Sequence, residues 1–246
     1  MRRWRWQLFL GLGLVALSAL LYYVHYLIFH DPHHIFTYML GDVAFVPIEV
    51  LLVTLIIHRL LSVREKRARL EKLNMVIGTF FSEVGTGLLM RFSDFDPGLS
   101  DIRESLLVKD DWSEEEFRRA ARRLRDYAFA VDTDKVNLQE LSDFLVSKRD
   151  FLVRLLENPT LLEHETFTEL LRAVFHLTEE LQSREDLSCT PESDCAHLGG
   201  DIKRAYVLIV NEWFDYMEYL RSNYPFLFSH AMRTNPFDQD ASPVVL

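Results

Sequence analysis

The chain has 246 residues and a mass of 28.9 kDa, with 27 Lys+Arg against 37 Asp+Glu and a formal net charge of -10. Hydrophobic residues make up 49%, too many for a disordered chain, and 2 Cys cannot build a disulfide framework. The acidic balance excludes the broad basic footprint that a nucleic-acid binder needs.

The charge is unevenly placed. Residues 1–72 carry 9 Lys+Arg against 5 Asp+Glu, whereas residues 73–246 carry 18 against 32. The first part reads as a transmembrane hairpin over 1–61. Leu8–Phe29 is apolar and holds no charge, and Ile35–Ile57 is apolar apart from Asp42 and Glu49. Each stretch exceeds the roughly 20 residues that a helix needs to cross a hydrocarbon core. Between them His30-Asp31-Pro32-His33-His34 forms a polar turn. Arg2, Arg3 and Arg5 precede the hairpin, Arg59 and the run after it follow, and the turn has no Lys or Arg. That bias puts both ends on the cytosolic side of a prokaryotic inner membrane. Trp4 and Trp6 suit the inner interface, and Tyr22, Tyr23, Tyr26 and Tyr38 the outer one. A cleavable signal peptide competes for the first span, with Ala16-Leu17-Ser18 as its cleavage site, but the apolar run outlasts a signal core.

Residues 62–93 are expected to continue the second span as an amphipathic linker helix. Leu70, Leu73, Ile77, Phe80, Phe81, Val84 and Leu88 recur at spacings of three and four. The basic run Arg64, Lys66, Arg67, Arg69 and Lys72 serves as a topology signal and an attraction to anionic headgroups of the bilayer. Gly78, Gly85 and Gly87 weaken this helix or mark close packing. Asp94-Phe95-Asp96-Pro97-Gly98 is a turn.

Residues 94–233 read as an acidic, cytosolic antiparallel helical bundle, making the protein all-α. Ser113 with Glu114, Glu115 and Glu116 caps a helix running to Val131. Others are expected over Asn137–Leu156, Thr160–Glu185 and Asp201–Tyr224, with Asp186–Gly200 as a loop and a short helix possible from Pro225 to His230. Residues 234–246 contain two Pro and read as an extended tail. Segments Asn158–Phe167, the stretch onward to Leu181, Tyr224–Phe228 and Arg233–Phe237 resemble uncharacterised prokaryotic two-span membrane proteins. The resemblance implies no activity.

Four groups of residues could carry chemistry. Asp42 and Glu49 share a helix face about 10 Å apart along the axis. A carboxylate in a bilayer must be protonated, paired or wet. Pro47 between them frees the carbonyl near Val43. They line an ion or proton path shared by several copies, or make the interhelical contacts of a homo-oligomer. His25, His30, Asp31, His33 and His34 crowd the turn and could bind a metal or sense pH, although no recognised ligand spacing is present. Cys189 and Cys195, two residues before His197, lie in the expected loop at a spacing foreign to structural zinc sites, so they are a redox pair at most. His164, Glu165, His176, Glu179 and Glu180 lack the Glu-x-x-His spacing of di-iron bundles and read as a solvated face. No nucleotide, hydrolase or zinc-protease motif occurs. The expectation is a membrane-anchored scaffold or signal relay that binds a cytosolic protein without catalysis or cofactor; an oligomeric ion channel is the alternative.

Overall fold

The computed structural model describes residues 2–159, 161, 164–187 and 191–244, excepting the side chains of residues 2–8, Arg67 and Arg69. The described residues are helical and contain no strand. They fall into two units, Met1–Arg67 and Ala68–Leu246.

In the first unit α1 spans Arg2–Phe29, and α2 begins at Pro32 and runs on to Phe80. The link is shorter than the expected five-residue turn, because His33 and His34 already belong to α2. Asp31 explains this. Its Oδ1 accepts from the backbone N–H of His33 at 3.0 Å and of His34 at 3.1 Å, capping α2 with Pro32 in the first helical position. His30 has φ 51, the left-handed conformation that commonly ends a helix, and its N–H donates to the Tyr26 carbonyl at 2.9 Å. Pro47 lies within α2, which continues through it. Every described side chain from Phe9 to Lys66 is exposed apart from the half-buried His25 and Ile35.

The second unit holds a single buried core. After α2 comes a wide π turn, Phe81–Gly85, and then α3, Thr86–Phe95. A Cβ on Gly85 would lie 2.6 Å from Phe81 Cδ1 and 2.9 Å from Phe80 Cε1. Glycine is therefore what lets two phenylalanines pack beside this turn. Leu73, Ile77, Phe80, Val84, Leu88 and Phe92 all enter the core, so the expected linker periodicity is that of a packed helix face. Next come α4, Arg103–Leu106, and α5, Glu114–Asp126. Ser113 and Glu116 form the expected capping box. The helix stops five residues before the expected Val131, since Tyr127 turns extended and Phe129 is buried separately.

The expected Asn137–Leu156 helix is two, α6 (Leu138–Ser147) and α7 (Arg149–Leu156), parted at Lys148. Lys148 Nζ donates to Glu83 Oε2 at 3.0 Å. Helix α8, Glu165–Gln182, starts after His164, whose Nδ1 accepts from the Phe167 N–H at 3.3 Å. Helix α9, Glu192–Asn223, begins nine residues before the expected Asp201, behind Pro191 in extended conformation. It is the axis of the unit, touching α3, α5, α8 and α10 (Pro225–Arg233). Its apolar stripe runs through Leu198, Ile202, Tyr206, Ile209, Trp213, Met217 and Leu220. Beyond α10 the expected extended tail is partly seated. Asn235 Nδ2 donates to the Leu106 carbonyl at 2.9 Å, and the buried Phe237 packs edge-on against Trp213 at 5.2 Å.

Candidate functional site

Polar chemistry gathers in the apolar first unit and, in the second, at the seam between α8 and α9 and around Asp96 between α3 and α9.

In the first unit Asp42 and Glu49 both lie exposed on α2. Neither makes a hydrogen bond or ion pair within the described chain. At the turn, the His25 and His34 rings stack with centroids 5.9 Å apart and planes inclined by 7°, while His34 also meets Tyr38 at 4.5 Å. Ser18, Leu21, Tyr22, His25, His34, Ile35 and Tyr38 line a cleft of about 560 Å³. His30 packs on Tyr26 and His33 stands in the first turn of α2, so the five turn residues do not converge on one point. Among the described residues no group of three or more His, Cys, Asp or Glu could hold a metal ion. Arg64, Lys66 and Lys72 are exposed on α2; the Arg67 and Arg69 side chains lie outside the described residues.

The second unit buries several ionisable groups. Glu212, on α9, is 5% exposed and accepts from Thr166 Oγ1 at 3.1 Å. Burial pushes its carboxyl up to about 7, against the downward pull of the Thr166 hydrogen bond, and the nearby Asp215 charge adds to the rise. Burial also raises Asp215 and lowers His164, which share this end of the α8–α9 seam. Between α3 and α9, Asp96 Oδ1 accepts from Tyr127 Oη at 2.8 Å and from the Gly98 N–H at 3.1 Å. Asp96 Oδ2 and the fully buried Tyr206 hydroxyl find no partner of hydrogen-bond geometry. Desolvation raises both tyrosine hydroxyls above their usual range, with the Asp96 charge adding to it.

Farther along the seam lies a cluster that sequence reasoning missed. His176 and Glu180 are one turn apart on α8, and His197 and Asp201 one turn apart on α9. His176 Nε2 lies 3.6 Å from Asp201 Oδ2 and 3.9 Å from Glu180 Oε1; His197 Nε2 lies 3.5 Å from Asp201 Oδ2 and 3.7 Å from Glu180 Oε2. Arg184 closes one side. Its Nη1 donates to Glu180 Oε2 at 3.0 Å, and its Nε and Nη2 grip Asp194 at 2.8 and 2.6 Å. These bonds hold the Glu180 and Asp194 carboxyls below their usual range. The matching His-x3-Glu and His-x3-Asp spacings were visible, but treating 186–200 as a loop removed His197 from any helix face. Cys195 stands on α9, not in a loop, and Cys189 of the expected redox pair lies outside the described residues.

The fold thus defines an all-helical protein with an apolar two-helix unit followed by a separate helical unit that has its own core. Both parts match models of one family: residues 2–61 match the N-terminal helical domain of MJ1433, and residues 69–233 the C-terminal helical domain of the uncharacterised protein MJ1433. The chain belongs to this family, in keeping with the expected resemblance to uncharacterised proteins. It is 47% identical over 234 residues to the uncharacterised protein MJ1433 of Methanocaldococcus jannaschii, an alignment covering 95% of this chain and 94% of that protein. No solved structure matches the chain.

Proposed function

We propose that the protein is a two-span, homo-oligomeric membrane scaffold or signal relay, whose second unit is a cytosolic helical bundle that binds a protein partner without catalysis. The observation that carries this reading is the exposure of the first unit. The most apolar stretches within Phe9–Phe29 and Pro32–Phe95 reach mean hydropathies of 1.9 and 2.2, and no residue of either stretch is buried. Apolar surface on that scale requires cover by lipid or protein. The basic residues flanking both helices and the acidic remainder of the chain favour a cytosolic location for both ends.

Asp42 and Glu49 favour more than one copy. Each lies on the apolar part of α2 without an intrachain partner, and a carboxylate in hydrocarbon needs a proton, a partner or water. A neighbouring copy supplies the first two economically, by sharing protons and hydrogen bonds between helices. The same residues sustain the second reading, an ion or proton channel with Asp42, Glu49 and Pro47 on its lumen face.

Native mass spectrometry of the full-length protein released from lipid nanodiscs tests both. A discrete oligomer that dissociates in the Glu49→Gln or Asp42→Asn variant supports the scaffold. A ring of four or more copies that conducts ions, with flux lost in Glu49→Gln, supports the channel instead. A strictly monomeric protein overturns both.

A further inference from the structure

The second unit leaves one aromatic side chain in the open. Phe226 is 93% exposed at the start of α10, between the exposed Pro225 and Leu227. Every other described Phe, Tyr and Trp of the unit is buried or half-buried. The local backbone causes this. Pro225 stands in the first turn of α10, and Phe228, two residues on from Phe226 and so on the opposite side of the helix, is buried. Seating Phe228 in the core turns Phe226 outward, where it forgoes the stabilisation that burial would give. We propose that Phe226 and Leu227 form an interfacial anchor that inserts into the anionic, cytosolic leaflet of the bilayer. The inference rests on the membrane reading of the first unit.

Position supports it. Tyr224, immediately before α10, donates from Oη to Glu71 Oε1 at 3.0 Å, which ties this end of α9 to the fourth residue of the second unit. Val63 is the last apolar residue before the basic run, and the eight residues from it to Glu71 reach at most about 29 Å even fully extended. A bilayer that holds the first unit is therefore within reach of α10 at any angle between the units. The other end of α9 is remote, since Gly199 and Asn223 lie about 36 Å apart along the helix.

Charge supports it as well. Residues 219–237 hold Arg221, His230 and Arg233 and no Asp or Glu, in a part of the chain where acids outnumber Lys+Arg by 32 to 18. Arg233 bonds the Ser229 and Pro243 carbonyls, which leave its charge unneutralised. Arg64, Lys66, Arg67, Arg69 and Lys72 surround Glu71 in sequence, and the Glu71 carboxylate is taken up by Tyr224. An exposed aromatic beside basic residues suits an anionic interface, because rings settle at headgroup depth and each Lys or Arg is drawn to the lipid charge. A symmetric contact with a second copy would instead set His230 and Arg233 against their own equivalents.

The test places an environment-sensitive dye at Ser229→Cys, an exposed position about one turn from Phe226, in full-length protein carrying Cys189→Ser and Cys195→Ser. The protein is held in nanodiscs of phosphatidylglycerol and phosphatidylcholine that include lipid with a nitroxide in its acyl chain. The expected result is a blue-shifted emission quenched by the nitroxide. Both effects should be lost when Phe226→Asp and Leu227→Asp are added, and weakened in phosphatidylcholine alone or at high salt. Phe226→Ala with Leu227→Ala replaces that pair if circular dichroism shows a loss of helicity. A dye at Asp134→Cys, next to the Thr133 that abuts Gly199 near the far end of α9, should show neither effect. A dye at Leu20→Cys in α1 reports on the first unit. Quenching there but not at position 229 overturns the anchor and leaves the membrane reading standing, whereas no quenching at either overturns both. A blue shift at position 229 without nitroxide quenching means that protein covers the patch, and overturns the lipid assignment. Quenching at position 229 that survives both substituted pairs overturns the roles of Phe226 and Leu227.

Discussion

Thr166 Oγ1 donates to Glu212 Oε2 at 3.1 Å, tying the first turn of α8 to a carboxyl buried in the middle of α9. This pair sets a pH dependence with a definite sign. Glu212 rises from an ordinary 4.5 to about 7 on folding, so the native state binds more protons than the unfolded chain between those values. Stability is therefore greatest at the acidic end of that window and falls as pH climbs from 4.5 to about 7, at a cost of about 3 kcal/mol above it. Glu212→Gln keeps an acceptor for Thr166 and removes the charge. The variant should melt several degrees above the unaltered protein at about pH 8 and lose most of that advantage at about pH 5. Thermal unfolding followed by circular dichroism measures the gap; an equal gap at both pH values would contradict it.

Asp96 offers a contrast between two tyrosines. Tyr127 donates to Asp96 Oδ1, whereas the Tyr206 hydroxyl is buried without such a bond. Tyr127→Phe strips a donor from a buried carboxylate and should cost about 1–3 kcal/mol. Tyr206→Phe removes an unsatisfied hydroxyl and should be neutral or stabilising, within about 1 kcal/mol. Denaturant midpoints of the two variants check the order; a larger loss for Tyr206→Phe reverses the assignment.

Two glycines should respond oppositely to alanine. At Gly85 the new methyl meets the buried rings of Phe80 and Phe81, an overpacking that should cost about 1–3 kcal/mol. At Gly200, exposed within α9, a Cβ meets nothing within 4 Å. Gly200→Ala should stabilise by about 0.5–1 kcal/mol through helix propensity. Melting curves of both variants test this, and a stabilised Gly85→Ala would refute the packing role of the π turn.

Phe237 should behave as a core residue despite its place near the C-terminus. It is 2% exposed and packs against Trp213. Phe237→Ala is expected to cost about 3–5 kcal/mol, whereas Val244→Ala, at an exposed position, should change stability by less than about 0.5 kcal/mol. Urea unfolding distinguishes the two, and comparable losses would mean that the tail is not seated.

Much of the helical content was legible because it rests on local rules. The Ser113–Glu116 capping box, the apolar runs of α1 and α2, and the repeat from Leu73 to Leu88 declare themselves through near-neighbour spacing. Boundaries failed where a distant contact competed with local preference. Tyr127 leaves the helical conformation of α5 and bonds Asp96, thirty-one residues away, and the chain turns at Lys148, whose ammonium bonds Glu83. The first turns of α9 were lost because Gly199, Gly200 and Pro191 look like loop residues one at a time.

By itself the sequence determined an all-helical chain, an apolar first unit holding Asp42 and Glu49, and an acidic second part, since composition and periodicity are properties of neighbours along one helix. Only the tertiary structure decided that Glu212 is buried, that Phe237 belongs to the core, and that His176 and Glu180 meet His197 and Asp201. Those facts depend on which helix face turns toward which, and packing of non-local apolar surface chooses that.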